Sequence, residues 1–411
     1  MSRRGIRNVT TITTSQAHSD LVDQFGARNY APLPVVIATG QGVWVEDVEG
    51  KRYMDFLAAY SAVNFGHCHP ELTRVATEQL GRVTLTSRAF LSDQLGPFCE
   101  ALARLCGMEA VLPMNTGAEA VETAIKTARR WGYRVKGVPA DRAKIIVCGG
   151  NFHGRTTTVI SFSTDPDCRE GFGPFTPGFE VVTYGDIDAL KSAIDANTVA
   201  FLVEPIQGEA GIIVPPDGYL AQVREVCSQN NVLFIADEIQ SGLGRTGKTF
   251  ACDHESVKPD VYLLGKALGA GIVPISAVVS SREILGVFTP GSHGSTFGGN
   301  PLACAIARKV IDILNRGDIQ SHAAELSGHL FERLRGFNWS KVTQIRGRGL
   351  WVGLELDHDR VGKAKPYCQR LMHEGLLVKD THSYSIRLAP PLVVTRDELD
   401  WALERLDKVL R

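Results

Sequence analysis

VLFIADEIQSGLGRTGKT occupies Val232–Thr249. Five largely apolar residues, Val232 to Ala236, run straight into Asp237 and Glu238, and a glycine-rich basic loop follows. A short apolar run that stops at charge is the pattern of a strand covered on both faces of a parallel sheet. KIIVCGG from Lys144, VAFLVEP from Val199 and DVYLLGK from Asp260 share it. Helical stretches such as 218–230 lie between several of them. That alternation predicts a doubly wound α/β domain with a mostly parallel sheet.

Outward from this centre the character changes. GVWVEDVEGKRYMDF reads as a hairpin in which Val43, Val45 and Asp47 share one face and Glu49-Gly50 makes the turn. After about residue 305, helix-like sequence leads into the strand RGLWVGLEL, a helix near Lys363 to Glu374, the strand SIRLAPPLVV and a last helix. Thr395 and Glu398 form a capping box for that helix, and Leu399, Ala402, Leu403, Leu406 and Leu410 give it one apolar face. The organisation expected is a disordered tail (1–24), an N-terminal segment with the hairpin (25–60), a large α/β domain (61–304) and a small α+β C-terminal domain (305–411).

Whole-chain quantities agree with several domains: 411 residues exceed one small core. A formal net charge of -1 argues against nucleic acid or an acidic membrane as partner. No apolar run reaches the ~18 residues of a membrane helix. The nine cysteines are an odd number without a C-x-x-C spacing, which suits buried thiols in a reducing, cytoplasmic setting and gives no metal framework. The first twenty residues are rich in Arg, Ser and Thr, as in a mitochondrial transit peptide; with their poor amphipathic period they also read as a plain tail.

Ligands of open α/β sheets sit beyond the carboxyl ends of the strands. The first suspects are therefore Gly149-Gly150 with the segment 151–155, then Glu204, Asp237-Glu238 and Lys266. Lys266 follows an apolar strand and precedes small residues. It is either a surface lysine or a desolvated amine whose lowered pKa makes it a nucleophile. Asp237 is either a helix cap or an acid facing the same crevice. A lysine and an acid so placed are what pyridoxal phosphate needs, the first for its aldehyde and the second for its ring nitrogen. Thr116 and Gly117 open a helix whose start could seat a phosphate.

Gly242–Thr249 also matches G-x-x-x-x-G-K-[ST], the phosphate loop of nucleotide triphosphatases, and GGNFHGRT from Gly149 is a near-match. A working phosphate loop leaves a strand directly and opens a helix. Here the sequence after Thr249 has no sustained helical period, so the triphosphatase reading ranks far below the first.

FGARNYAPLPVVI, AAYSAVNFGHCHPE, LPMNTGAEAVETAIK, GNFHGRT, VEPIQGEAGI, FIADEIQSGLGRTGK, LLGKALGAGIVPISAV, HGSTFGGNPLAC and IRLAPPLV together resemble the class III, fold type I pyridoxal phosphate aminotransferases from about Phe25 to the C-terminus. Among these the resemblance is greatest to members acting on ornithine. It implies that Lys266 binds the cofactor and moves the proton, with Asp237 on the pyridine nitrogen and Gln240 on the phenolic oxygen. Phe152 would stack on the ring and Gly117 and Ala118 would hold the phosphate. Ser295 and Thr296 would reach the phosphate of a neighbouring subunit, making a homodimer the minimal unit. The implied substrates are L-ornithine and 2-oxoglutarate, with acetylornithine, 4-aminobutyrate or lysine as alternative amines. Arg387 would pair with Glu209 in the ornithine half-reaction and release to bind 2-oxoglutarate. Arg155 would take the distal carboxylate, Tyr30 the α-amino group, and Tyr60 would line the pocket. Two departures bear on the pocket: His153 beside Phe152, and Ser383-Tyr384 close to Arg387.

Overall fold

The computed structural model describes residues 14–411. Its centre is a seven-stranded sheet. In spatial order the strands are Ala110–Met114, Ser276–Ser280, Val261–Leu264, Leu233–Asp237, Thr198–Val203, Lys144–Cys148 and Phe179–Val182. The last five run parallel, and Ser276–Ser280 is antiparallel to both its neighbours. All four apolar runs singled out in the sequence are strands of this sheet.

Continuous apolarity is required because both faces are covered. Ile145, Val147, Leu202, Leu233 and Ile235 point into one layer with Val121, Ala124 and Ile125 of the helix Gly117–Trp131. Ile146, Phe201, Val203, Phe234 and Ala236 point into the opposite layer with Leu220 and Val223 of the helix Tyr219–Gln229. The period of two places alternate residues of each strand in different cores.

Two four-stranded sheets flank the centre. Val342–Gly347, Val352–Leu356, Ser385–Leu388 and Lys379–Thr381 form an antiparallel sheet, in that chain order except that Lys379–Thr381 lies at the edge. The N-terminal hairpin, Trp44–Asp47 with Arg52–Asp55, joins the other, in which Arg52–Asp55 pairs in parallel with Leu376–Leu377. Val43, Met54 and Phe56 therefore share a core with Leu376, Leu388 and the helix Arg396–Leu410, whose capping box and apolar face are as expected.

Two boundaries differ from the sequence reading. The helix Pro301–Arg316 runs unbroken through 304/305 and packs into the core of the large sheet; the chain turns at Gly317, which has φ +79°. The tail assigned to 1–24 contains a helix, Ser15–Phe25, capped by Thr14 and carrying exposed Leu21, Val22 and Phe25. Ala17, Leu21 and Phe25 recur at i, i+4 and i+8, a stripe that the polar start of the chain obscures. Residues 1–13 lie outside the described part.

The glycine-rich loop Gly242–Thr249 opens no α-helix; a short 3₁₀ turn, Ala251–Glu255, follows. Its Arg245 is wholly buried and donates to the carbonyls of Leu350 (3.1 Å) and Pro390 (2.7 Å) and to Asn64 Oδ1. The motif thus serves to bridge segments distant in sequence. Arg245→Ala is expected to cost about 3 kcal/mol, since three buried acceptors lose a donor at ~1 kcal/mol each. A lowered midpoint in chemical unfolding checks this.

Candidate active site

The carboxyl ends of four parallel strands meet at a cavity of about 200 Å³ lined by Gly117, Ala118, Phe152, Glu204, Asp237, Gln240 and Lys266, among others. Lys266 follows the strand Val261–Leu264 and has φ +44°, a left-handed conformation that a lysine adopts only under constraint. Its amine forms no ion pair among the described residues. Burial pulls its pKa down, and this outweighs the opposing field of Glu209. A lowered pKa leaves more of the amine unprotonated and nucleophilic.

Asp237 ends the strand Leu233–Asp237 and is buried. Its Oδ1 accepts the amide of Ile239 at 3.1 Å, and its Oδ2 lies 2.6 Å from His153 Nδ1. Burial alone would lower the His153 pKa; the hydrogen bond and charge of Asp237 overcome this and raise it. Glu204, at the end of the strand Thr198–Val203, accepts the amides of Phe152 (2.9 Å) and Gly208 (3.4 Å). One carboxylate thereby ties the loop bearing Phe152 to the loop bearing Glu209. Burial pushes the Glu204 carboxyl up to about 7, partly countered by His153.

The helix Gly117–Trp131 starts with a capping box. Thr116 Oγ1 accepts the Glu119 amide at 3.2 Å, and Glu119 accepts the amides of Thr116 and Asn115 at 2.9 and 2.7 Å. The capping side chains thus leave the amides of Gly117 and Ala118 at the positive end of the helix, where both residues line the cavity. Gly154, at φ +123°, brings the 151–155 loop against this helix start: a Cβ there would lie 2.8 Å from that of Ala118.

Beyond the cavity, Arg387 of the strand Ser385–Leu388 is buried. It donates to Glu209 Oε1 at 2.9 Å and to the Gly208 carbonyl at 3.1 Å. Burial would raise the Glu209 carboxyl, but the Arg387 guanidinium holds it below its ordinary value. Arg387 also stands over the Tyr60 ring, 5.3 Å from its centroid. Tyr60 is presented by Ala58–Ser61, four consecutive residues with φ between 46° and 71°. Such a left-handed turn costs about 1–2 kcal/mol per residue. Asp55 anchors its start, accepting the amides of Leu57 and Ala58 at 2.8 and 2.9 Å.

Other expected residues lie outside the cavity lining. Tyr30 is exposed. Arg155 is exposed, 5.8 Å from the Phe152 ring centroid and without an ion pair among the described residues. Ser295 Oγ accepts from Asn115 Nδ2 at 2.8 Å, and Thr296 is exposed. Tyr384 packs edge-on against the exposed His358, with ring centroids 4.8 Å apart.

The residues present fit pyridoxal phosphate. Gln240 Nε2 is a buried donor without a partner among the described residues, in the lining of a cavity that also offers a desolvated amine, a buried acid and a helix start. Residues 25–410 match the family Aminotransferase class-III.

The chain belongs to the class-III aminotransferases.

These enzymes depend on pyridoxal phosphate. An ornithine aminotransferase of Geobacillus sp. (strain WCH70) is 58% identical over 95% of this chain and 97% of its own length. The solved ornithine aminotransferase of Toxoplasma gondii superposes with a TM-score of 0.95 at 46% identity, covering 97% of this chain and 95% of that one; it carries pyridoxal phosphate at partial occupancy in its active site. A solved acetylornithine aminotransferase of Elizabethkingia anophelis gives 0.90 at 49% identity, covering 97% and 99%. In this class-III aminotransferase, sequence reasoning named Glu204 and the 151–155 segment as strand-end suspects but gave His153 and Glu204 no role. Their strand-end position was the only signal; the contacts are long-range.

Proposed function

We propose that this aminotransferase moves the δ-amino group of L-ornithine to 2-oxoglutarate. The products are glutamate and glutamate 5-semialdehyde, which cyclises to pyrroline-5-carboxylate. The observation that carries the reading is the Glu209–Arg387 pair. In ornithine the reacting carbon bears no carboxylate; in 2-oxoglutarate a carboxylate is adjacent to it. An unpaired arginine there would be left desolvated in the ornithine half. Glu209 neutralises it in that half, and its withdrawal frees a bidentate carboxylate site in the other.

Pyridoxal phosphate, when bound, draws the electrons of the scissile carbon–hydrogen bond into its ring. Gly117 and Ala118 would hold its phosphate through their amides, Phe152 would pack on its face and Gln240 would donate to its phenolic oxygen. Asp237, oriented by His153, would keep its ring nitrogen protonated. The Lys266 amine would be its covalent anchor and, once released to substrate, would take and return the proton at the reacting carbon. Tyr60 lines the substrate side beside Arg387, Arg155 would take the distal carboxylate and Tyr30 the α-amine. Ser295 and Thr296 would complete the phosphate site of a second copy, so the homodimer is the unit proposed. The cytoplasm is the compartment proposed, where the nine free cysteines stay reduced.

The likeness to an acetylornithine aminotransferase supports a second reading, with acetylornithine as donor. Relative kcat/KM for ornithine, acetylornithine, 4-aminobutyrate and lysine separates the two; absence of pyrroline-5-carboxylate from ornithine and 2-oxoglutarate sinks the first. Glu209→Ala is expected to shift preference toward glutamate over ornithine by 10-fold or more, because truncating one partner of a buried charged pair costs ~2–5 kcal/mol. An unchanged donor ratio would remove the switch from the mechanism.

A further inference from the structure

We propose that Thr381 and Arg346 set amino-donor selectivity by clamping the backbone under Glu209, so that Glu209 covers and uncovers Arg387 by side-chain rotation alone. This rests on the Glu209–Arg387 reading above. The 208–211 loop is closed at its base by the paired backbone bonds of Gln207 and Ile213, 3.0 and 2.9 Å. Three of its carbonyls are taken by side chains of one sheet. Arg387 holds that of Gly208 at 3.1 Å, Thr381 Oγ1 that of Glu209 at 2.5 Å, and Arg346 Nε that of Gly211 at 2.6 Å. Arg346 is itself fixed by Glu355 (2.6 Å) and Ser385 (2.8 Å).

The loop has no room to slide. A Cβ at Gly208 would lie 2.4 Å from Gln240 Oε1, and one at Gly211 would lie 2.6 Å from Arg346 Nη2. A Cβ at Gly353 would lie 2.5 Å from the Gly211 carbonyl. Against this rigid base the two partners of the pair are unequal. The Glu209 side chain is 26% exposed and that of Arg387 is 1% exposed. The acid has open space to turn into; the arginine does not. Thr381 and Arg346 lie outside the cavity lining and bond only to the backbone of this loop and to their own sheet, so they are positioning residues: they keep the Glu209 pivot where its carboxylate meets Arg387 when ornithine is bound.

The test compares half-reactions of the holoenzyme with ornithine and with glutamate, and calorimetric binding of glutarate, which needs an uncovered Arg387. Thr381→Val keeps the side-chain shape and removes one hydrogen bond. It is expected to lower kcat/KM for ornithine about fivefold to tenfold, the effect of a single hydrogen bond. The value for glutamate should be unchanged or raised, and glutarate should bind several-fold tighter. Arg346→Gln should act in the same direction and Thr381→Ser should restore the parent ratio. In a Glu209→Ala background Thr381→Val should shift the ratio by less than twofold, since it acts through Glu209. Equal losses in both half-reactions, or a full effect without Glu209, would overturn the clamp. If Glu209→Ala leaves the ratio unchanged, the switch itself fails; if Glu209→Ala shifts it and Thr381→Val does not, only the clamp fails.

Discussion

Lys266→Ala is expected to lower turnover by about 10⁴-fold or more, because one side chain supplies both the nucleophile and the proton carrier, and proton transfer alone is worth ~10²–10⁴. The visible absorbance that follows from attachment of the cofactor to this lysine should vanish with it. Stability should not fall. The amine sits desolvated and without an ion pair among the described residues, and its removal relieves a desolvated polar group rather than breaking a contact. Lys266→Arg is the sharper control: it keeps a cation but remains protonated at any working pH, so it should be as inactive as the alanine variant. Activity within tenfold of the parent in either protein, measured as half-reactions with ornithine, would show that the nucleophile lies elsewhere.

Asp237→Asn is the second large effect, expected at about 10²–10⁴-fold in turnover at saturating cofactor. The asparagine keeps the shape and the bond from Ile239 but carries no charge to hold a proton on the ring nitrogen. It also frees His153. The pKa of that imidazole is raised because Asp237, helped by the field of Glu204, overcomes burial, so the substitution should lower it. The sign for stability follows. A histidine pKa raised by folding contributes stability that is full below the unfolded value of about 6.5 and fades as pH climbs through the raised value. Parent protein should therefore lose part of its thermal stability across that window, and Asp237→Asn should show a flatter profile. Turnover that survives the substitution within tenfold would detach this acid from the chemistry.

Much of this site was legible in residues because parallel sheets write themselves plainly. Strands buried on both faces give unbroken apolar runs, and the residue that ends each run must lie at the ligand edge. Asp237, Glu204 and Lys266 are visible for that reason, and Thr116 with Gly117 marks a helix start because caps are local. The contacts between such positions are not local. His153 meets Asp237 across 84 residues, and only the path of two loops brings them together. Ala58–Ser61 contains no residue that favours positive φ, so nothing in its composition announces a left-handed turn. The helix Ser15–Phe25 was read as tail because the polar start of the chain hides its apolar stripe. The edge strand Val342–Gly347 was missed because its exposed Thr343 and Gln344 lack an apolar run. Tyr30, Ser295 and Thr296 rested on family resemblance alone, Arg155 on its strand-end position as well, and a single subunit leaves all four outside the cavity lining.

The parallel pairing of Arg52–Asp55 with Leu376–Leu377 constrains how the molecule is made. Roughly 320 residues separate the partners, so at ~5–20 residues per second the earliest hairpin waits about 15–60 s on the ribosome for the strand that completes it. During that interval Val43, Met54 and Phe56, which end in a shared core, have no native surface to cover them. The large sheet can assemble while translation continues, but the amino end becomes structured only with the carboxyl end. A chain shortened before Leu376 is therefore expected to leave Val43, Met54 and Phe56 uncovered as well, so that damage at one end is felt at the other.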